Sequence, residues 1–359
     1  MSQVAIISCK SYDEGEVLAA VERGLTLLGG AEQFVKPDEN ILLKLNWLTG
    51  DAPEKCVTTH PAVFRAVASV LQRAGAKLAY GDSPGFQSPD TAAKKTGCAE
   101  VAEQMNIPLA DFRAGREAHY PEGKQNKKFV IANAVLDSDG VVSLPKMKTH
   151  AFQRVTGAVK NQFGCIPGAL KGEFHVKVPD ATDFARMLID LNSFVHPRLY
   201  VMDGIMAMEG NGPRGGDPRQ MNVLLFSTDP IALDATMCRL MNLDPALVLT
   251  NRAGAEMGAG TYAAEEIRLL GDPMEQFVAI DYNVNREPEK DAPKKQQPNF
   301  IKQAITPRPY ILADRCVRCG ICVNMCPVTP KAVDWHDGNK HNPPSYRYER
   351  CIRCYCCQE

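Results

Sequence analysis

Spare charge of one sign is missing from this chain. Its 41 Lys and Arg residues face 42 Asp and Glu residues, a formal net charge of −1. Nothing is left over to neutralise a nucleic-acid backbone, so no nucleic-acid partner is expected. Long apolar runs are missing too. The N-terminal MSQVAIISCKSYDEGE has no basic region followed by an apolar core, and no uncharged apolar stretch approaches the roughly 18 residues of a membrane span. The reading is a cytoplasmic chain with neither signal peptide nor membrane association. Cysteine is sparse over the first 315 residues, where only Cys9, Cys56, Cys98, Cys165 and Cys238 occur. Such a chain has no oxidising compartment for a disulfide framework, so these five read as buried thiols. Cys165 stands apart from the other four because it lies inside the Lys160–Gly168 loop.

What is present is an ordinary core composition, 45% hydrophobic and 23% charged over 359 residues, enough for two or three domains. Val4–Cys9, Ile41–Trp47 and Leu78–Asp82 are short apolar runs that predict strands buried on both faces. Between the last two, Pro61 opens and Gly75 closes a run with apolar residues at helical spacing (Val63, Val67, Val70, Leu71, Ala74), which predicts a βαβ unit. Two further strand signals flank a turn at Asp137–Gly140. Leu199–Ile205 and Asn222–Ser227 read as strands, and Pro230–Leu243 as a helix. The expected fold class is therefore α/β, with a mainly parallel-sheet core over 1–285, in one lobe or in two around a cleft. Residues 286–309 are rich in Pro, Lys and Gln and read as a linker. Residues 310–359 read as a small α+β module, too short for a large core and dependent on bound metal for its folding.

The module holds eight of the 13 cysteines. Cys316, Cys319, Cys322 and Cys326, the last followed by Pro327, have the spacing of the bacterial ferredoxin run for [4Fe–4S] clusters, and a zinc knuckle does not place four such cysteines before a proline. A second run, Cys351, Cys354 and Cys357, restarts the spacing. In a two-cluster arrangement Cys326 joins the second run, while the first keeps Cys316, Cys319 and Cys322 and wants a further thiolate four residues past Cys357. Three readings stay open. The natural chain continues past Glu359, or Cys356 substitutes, or that cluster keeps three protein thiolates. Arg315, Arg318, Arg353 and Tyr355 either guide a redox partner protein or form a solvated face around anionic clusters.

In the core, Lys44-Leu45-Asn46, Thr58-Thr59-His60-Pro61, Gly81-Asp82-Ser83-Pro84, Leu144-Pro145-Lys146-Met147-Lys148-Thr149-His150, Thr156-Gly157-Ala158-Val159-Lys160-Asn161, Cys165-Ile166-Pro167-Gly168, Met202-Asp203-Gly204 and Glu209-Gly210-Asn211-Gly212-Pro213 follow in this order. Together they resemble the domain-of-unknown-function family three-six-two, often fused to a ferredoxin tail; the resemblance covers nearly the whole chain and implies no reaction. The stretch from His150 to Gly168 is also similar to the site of the nickel-pincer lactate racemase superfamily, through His150, Phe152, Thr156-Gly157, Lys160 and Pro167-Gly168. That resemblance implies His150 as acid/base, Lys160 as carrier of a covalent cofactor, and His175 near the place of a nickel-binding His. The family's other acid/base His falls near Asp82-Ser83, where this chain has none, so two-base proton transfer is not implied.

Read from chemistry alone, Lys44, His60, Lys146, Lys148, His150 and Lys160 form a basic, titratable set at strand ends and loops, where open α/β sheets bind ligands. The expected catalytic residues are Lys160, His150 and His60. Lys44, Asn46, Lys146, Lys148, Asn161 and His175 are the expected ligand-binding set for a small anionic substrate, a further metal or an anionic cofactor, with Lys146 and Lys148 favouring neutral Lys160 by repulsion. The loop Gly210–Asp217 reads as a surface turn, or as an anion-binding lid using Arg214. Electron transfer through the clusters, isomerisation in the core and a carrier or assembly role are the functions these residues suggest. Oligomeric state is not legible.

Overall fold

The computed structural model describes residues 1–85, 87–168, 170–288 and 308–358; most of the expected linker lies outside them. Along the chain come β1 (Ser2–Ser8), α1 (Glu14–Leu27), β2 (Asn40–Lys44), α2 (Pro61–Arg73) and β3 (Lys77–Gly81). Helices α3 (Pro89–Lys95) and α4 (Cys98–Gln104) precede the hairpin of β4 (Gly115–His119) and β5 (Lys128–Ala132). A single turn, α5 (Asn133–Leu136), leads to β6 (Gly140–Ser143), β7 (Lys146–His150) and β8 (Arg154–Thr156). There follow α6 (Ala158–Asn161), α7 (Leu170–Lys177), α8 (Ala181–Val195), β9 (Leu199–Glu209) and β10 (Asp217–Ser227). The core closes with α9 (Pro230–Leu240), α10 (Leu249–Met257) and β11 (Ile267–Gly271).

One sheet of nine strands runs in the order β11-β1-β10-β9-β6-β2-β3, with β7 on β9 and β8 on β7. The β2–β3, β2–β6, β6–β9, β7–β9 and β1–β11 pairs are parallel. Antiparallel pairing is confined to β1–β10, β9–β10 and β7–β8. The sheet is mixed but mainly parallel, and it is covered on both sides. In β2, Ile41 and Leu43 pack with Val17 and Val21 of α1 and Phe64 and Val67 of α2, while Leu42 between them packs with Phe184 and Leu188 of α8. Alternate side chains of β1 divide the same way, Ala5 and Ile7 toward α1 and α2, Val4 and Ile6 toward Ala232 and Leu233 of α9. Period-two projection with both faces apolar explains why these strands read as continuous hydrophobic runs.

The turn at Asp137–Gly140 does not make a hairpin. β5 pairs with β4, and β6 joins the main sheet between β2 and β9. β9 and β10 are each 11 residues long and pair antiparallel well beyond their expected bounds, so the Gly210–Gly216 segment is the connection of one long hairpin. In the module, a short helix (Ile321–Met325) and the antiparallel two-residue strands β12 (Val333–Asp334) and β13 (Ser345–Tyr346) frame the cysteine loops. No described helix is long and apolar enough to cross a membrane.

Candidate functional site

The carboxyl ends of β2 and β3 build the floor of the site. Lys44, the last residue of β2, is fully buried, and its ammonium meets Asp82 Oδ1 at 2.8 Å. It also donates to the carbonyls of Leu45 and Asn161 at 2.8 and 2.9 Å. Asp82 accepts from the Trp47 and Ser83 amides at 2.5 and 2.7 Å. A Cβ on Gly164 would stand 2.0 Å from Asp82 Oδ1, so only glycine lets α6 and its following turn approach this pair. Lys44 is thus held as a structural cation beneath the cleft, and the structure does not bring it, expected as a ligand-binding residue, into the cleft lining. Asn161 carries the floor further: its Oδ1 accepts from Asn46 Nδ2 at 2.9 Å, and its Nδ2 donates to Ser143 Oγ at 2.9 Å. Asn46 Oδ1 is buried with no hydrogen-bond partner, and so is Thr156 Oγ1. Buried polar atoms of this kind are rare and mark places where a ligand or water completes the bonding.

Above that floor lies a cleft of about 800 Å³, lined by Asn46, Lys148, His150, Lys160, Asn161 and His175. His150 Nδ1 accepts from the amides of Phe152 and Gln153 at 3.0 and 3.2 Å. An imidazole nitrogen that accepts carries no proton, so the neutral ring holds its proton on Nε2. Lys148 donates to the Val57 carbonyl at 2.7 Å, and the Lys160 ammonium stands 5.4 Å from the Phe163 ring centre. His175 stacks on Phe184, ring centres 4.6 Å apart. Asp234 holds the start of α6 through the amides of Ala158 and Val159 at 2.6 and 3.1 Å, and burial pushes its carboxyl up to about 7. Lys171, which sequence reasoning did not single out, also lines the cleft; it donates to Ser83 O and Oγ at 2.7 and 2.8 Å. Its only sequence signal is nearness to Pro167-Gly168.

Two expected members stand elsewhere. Lys146 is spent on Asp203, 2.8 Å away, and on the Tyr12 hydroxyl at 2.9 Å. The His60 ring stacks on Tyr12 with centres 3.5 Å apart, and its Nδ1 accepts from Ala62 N–H at the start of α2. Neither lines the cleft, so the structure does not bring His60, expected as catalytic, or Lys146, expected as ligand-binding and as a neighbour repelling Lys160, together with the cleft residues. Arg214 pairs with Asp51 at 3.0 Å and is not held out as an anion lid. Burial pushes the Cys165 thiol up to about 12, which leaves it inert.

His60 instead makes a stability prediction. Burial lowers it to about 4, Asp203 opposing and Lys146 adding to the effect, against 6.5 for the ordinary group. Between those values the unfolded chain binds more protons, so stability present above pH 6.5 is lost as pH falls toward 4. The contribution of this residue should drop by about 2 kcal/mol from pH 7 to 5. Urea unfolding at both values should show that slope in the difference between the wild type and His60→Asn, which keeps a capping side chain, because Asp234 drives the wild type's own slope the other way.

The two cysteine loops share one backbone shape. Arg318 and Gly320 have φ of 58° and 76°, and Arg353 and Tyr355 have φ of 59° and 60°. These are the residues before and after the second cysteine of each run, so both runs fold into one shape although the second lacks the glycine. A tyrosine in the left-handed region is costly and persists where surroundings fix it. Burial pushes the Cys357 thiol up to about 12; the Tyr346 hydroxyl, donating to Sγ at 3.2 Å, opposes this, and the Cys354, Cys351 and Cys322 thiols add to it. Cys322, Cys351 and Cys354 stand near enough to Cys357 to raise its thiol. Among the described residues no three donor side chains are already drawn together into a metal-holding group, so the fit rests on thiolate donors carried by two loops of one shape. The residues fit the group.

The module closes over the core. Ile321, Met325, Cys326, Pro327 and Cys356 line the same cleft as Lys160 and His150. Met325 Cε would stand 3.6 Å from a Cβ placed on Gly85, and Gln358 Nε2 donates to Asn211 Oδ1 of the β9–β10 connection.

Residues 41–239 match the family described as "Domain of unknown function (DUF362)", and residues 309–329 match a 4Fe-4S binding domain. A thylakoid-associated protein of Synechocystis sp. is 39% identical over 279 residues, covering 77% of this chain and 86% of that protein. Among solved structures, the lactate racemase apoprotein from Thermoanaerobacterium thermosaccharolyticum aligns with TM-score 0.43 and 13% identity, over 67% of this chain and 56% of that one. A crystal structure of a Thermotoga maritima protein aligns with TM-score 0.37 and 10% identity, over 71% of this chain and 61% of that one. The chain thus spans less than two thirds of either structure.

Proposed function

Because the chain belongs to the DUF362 family, whose description names no reaction, and joins that domain to a 4Fe-4S binding domain, we propose that it transfers electrons between iron–sulfur clusters and a small anionic ligand held in the cleft. One observation carries the proposal: Cys326 and Cys356 of the module share a cleft with Lys148, His150, Lys160 and His175 of the core. When bound, [4Fe–4S] clusters supply single electrons. Cys326, Cys351, Cys354 and Cys357 hold one of them in this reading, and Cys316, Cys319 and Cys322 hold the other. Lys148 and Lys160 draw an anion inward, the Thr156 hydroxyl donates to it, Asn46 Oδ1 accepts from a hydroxyl or N–H group that the same ligand carries, and His150 Nε2 holds a proton beside it. Domains at 1–285 and 310–359 and a cytoplasmic location belong to the same proposal.

Isomerisation on a metal or cofactor carried by Lys160 is a second reading, favoured by the convergence of His150, Lys160 and His175. Where the racemases keep their other acid/base His, this chain has Asp82, held by Lys44, and Ser83, held by Lys171. Those residues do not fit a second base.

The test is an anaerobic redox titration followed by electron paramagnetic resonance, with iron, sulfide and nickel counted and intact mass measured. Cluster signals should titrate on the order of −400 mV. Lys160→Ala should keep iron and sulfide and lower one midpoint by roughly tens of millivolts, since it removes a cation near an anionic cluster. Zinc without acid-labile sulfide, or midpoints unmoved by Lys160→Ala, defeats the reading. Nickel or a mass adduct on Lys160 supports the second one.

A further inference from the structure

We propose that the outward side of the first cysteine loop is a docking face for a small acidic electron-carrier protein, so that electrons cross the module from Cys316–Cys322 to the cleft. The inference rests on the electron-transfer reading above and adds the entry side and the partner's chemistry.

Large apolar side chains exposed one at a time need no explanation, but a cluster does. Tyr310, Leu312 and Val317 are 72%, 47% and 82% exposed, three of the eight large exposed apolar residues among the described ones, and they fall within eight positions. The Arg315 amide donates to the Leu312 carbonyl at 3.1 Å, which turns this segment back on itself immediately before the loop. Arg308, Arg315 and Arg318 are exposed around the apolar residues, against the single acid Asp314. An apolar centre with a charged rim of one sign is the pattern of a protein interface selected for a partner of opposite sign.

Position in the module says what that partner exchanges. Cys319 is exposed within this face, and none of Cys316, Cys319 and Cys322 lines the cleft. Cys326 and Cys356 face the cleft instead. Within the first run Cys319 thus meets solvent, while Ile321, Met325 and Cys326 beyond it line the cleft with Cys356 of the second run. Electron-carrier encounters bury little area and depend on charge steering, which the segment 308–318 with its three arginines can supply. An anionic lipid surface also meets arginine and apolar side chains, but it gives no reason for an exposed cluster thiol at the centre.

The probe is an acidic flavodoxin mixed with the full, cluster-loaded chain. In the step proposed, the flavin hydroquinone of the probe loses one electron and an oxidised cluster gains it. Calorimetry should show binding that weakens as salt rises. The double charge reversal Arg315→Glu with Arg318→Glu should weaken it at least about tenfold, with iron, sulfide and circular dichroism unchanged. Val317→Asp should do the same through the apolar centre, and serves alone if the double variant loses iron. Arg268→Glu, exposed on β11, should leave binding as it was. Equal affinity for wild type and both patch variants overturns the proposal. So does binding of anionic phosphatidylglycerol vesicles, but not flavodoxin, through these residues, or a dimer that Val317→Asp dissociates. The midpoint shift of Lys160→Ala is read without any partner, so failure of docking and failure of electron transfer at the cleft are told apart.

Discussion

Lys44→Ala is expected to destabilise the core by about 3–5 kcal/mol, because it strands a buried carboxylate. Asp82 is 3% exposed and keeps only the Trp47 and Ser83 amides once its cation is gone. The damage spreads to the cleft, since Lys44 also ties the Asn161 carbonyl and thereby the end of α6, next to Lys160. Removing both charges should hurt less than removing one, as buried pairs cost much of what they return. Lys44→Met with Asp82→Asn should accordingly recover a good part of the loss, and denaturant midpoints of the two singles and the double would measure the coupling. A cost below about 1 kcal/mol for Lys44→Ala contradicts the buried pair.

Cys326→Ser is expected to remove one cluster and leave the other, cutting iron from about eight to about four per chain when both sites hold four-iron clusters. The lost cluster should be the one bound by Cys351, Cys354 and Cys357, which lies far along the chain from Cys326. Cys322 competes for this crossing role, because its thiol is near enough to raise Cys357, whereas Cys326 Sγ accepts from the Ala332 amide at 3.2 Å and lines the cleft. Cys322→Ser tested beside Cys326→Ser decides between them. If Cys326→Ser spares the second cluster and Cys322→Ser removes it, the crossing thiolate is Cys322.

Much of this architecture is legible locally. Pro61 after a capping side chain, with apolar residues at helical spacing, places α2 at Pro61–Arg73, and His60 caps it. The strands of the βαβ unit appear within three residues of their expected bounds, because β2 and β3 are largely buried on both faces and read as apolar runs. Partners far apart in the chain are not legible that way. Lys44 and Lys146 look like free cations because their carboxylates sit 38 and 57 positions later, at Asp82 and Asp203. His60 looks titratable for the same reason, since nothing nearby in sequence announces the Tyr12 ring stacked on it. Lys148, His150 and Lys160 share the cleft because β7, β8 and α6 fold one short segment back on itself. The module's place over that cleft depends on surfaces more than 100 residues apart, Gly85 against Met325 and Asn211 against Gln358 among them, and no periodicity reports such a contact.

The five core cysteines give the chain a use as its own reporter. Cys9, Cys56, Cys98, Cys165 and Cys238 are all buried. Burial pushes Cys9, Cys98 and Cys165 up to about 12, 11 and 12, and raises Cys56 and Cys238 too. A thiol-specific alkylating dye therefore meets two separate clocks, since thiolate is the reactive form. Exposed Cys319 becomes reactive when iron leaves, buried Cys351 and Cys356 and half-buried Cys357 follow as the metal-dependent module loses its fold, and the sulfurs of the core react only when the sheet opens. Counting dye adducts by mass, tail against core, would time cluster loss and unfolding in one sample without any engineered label.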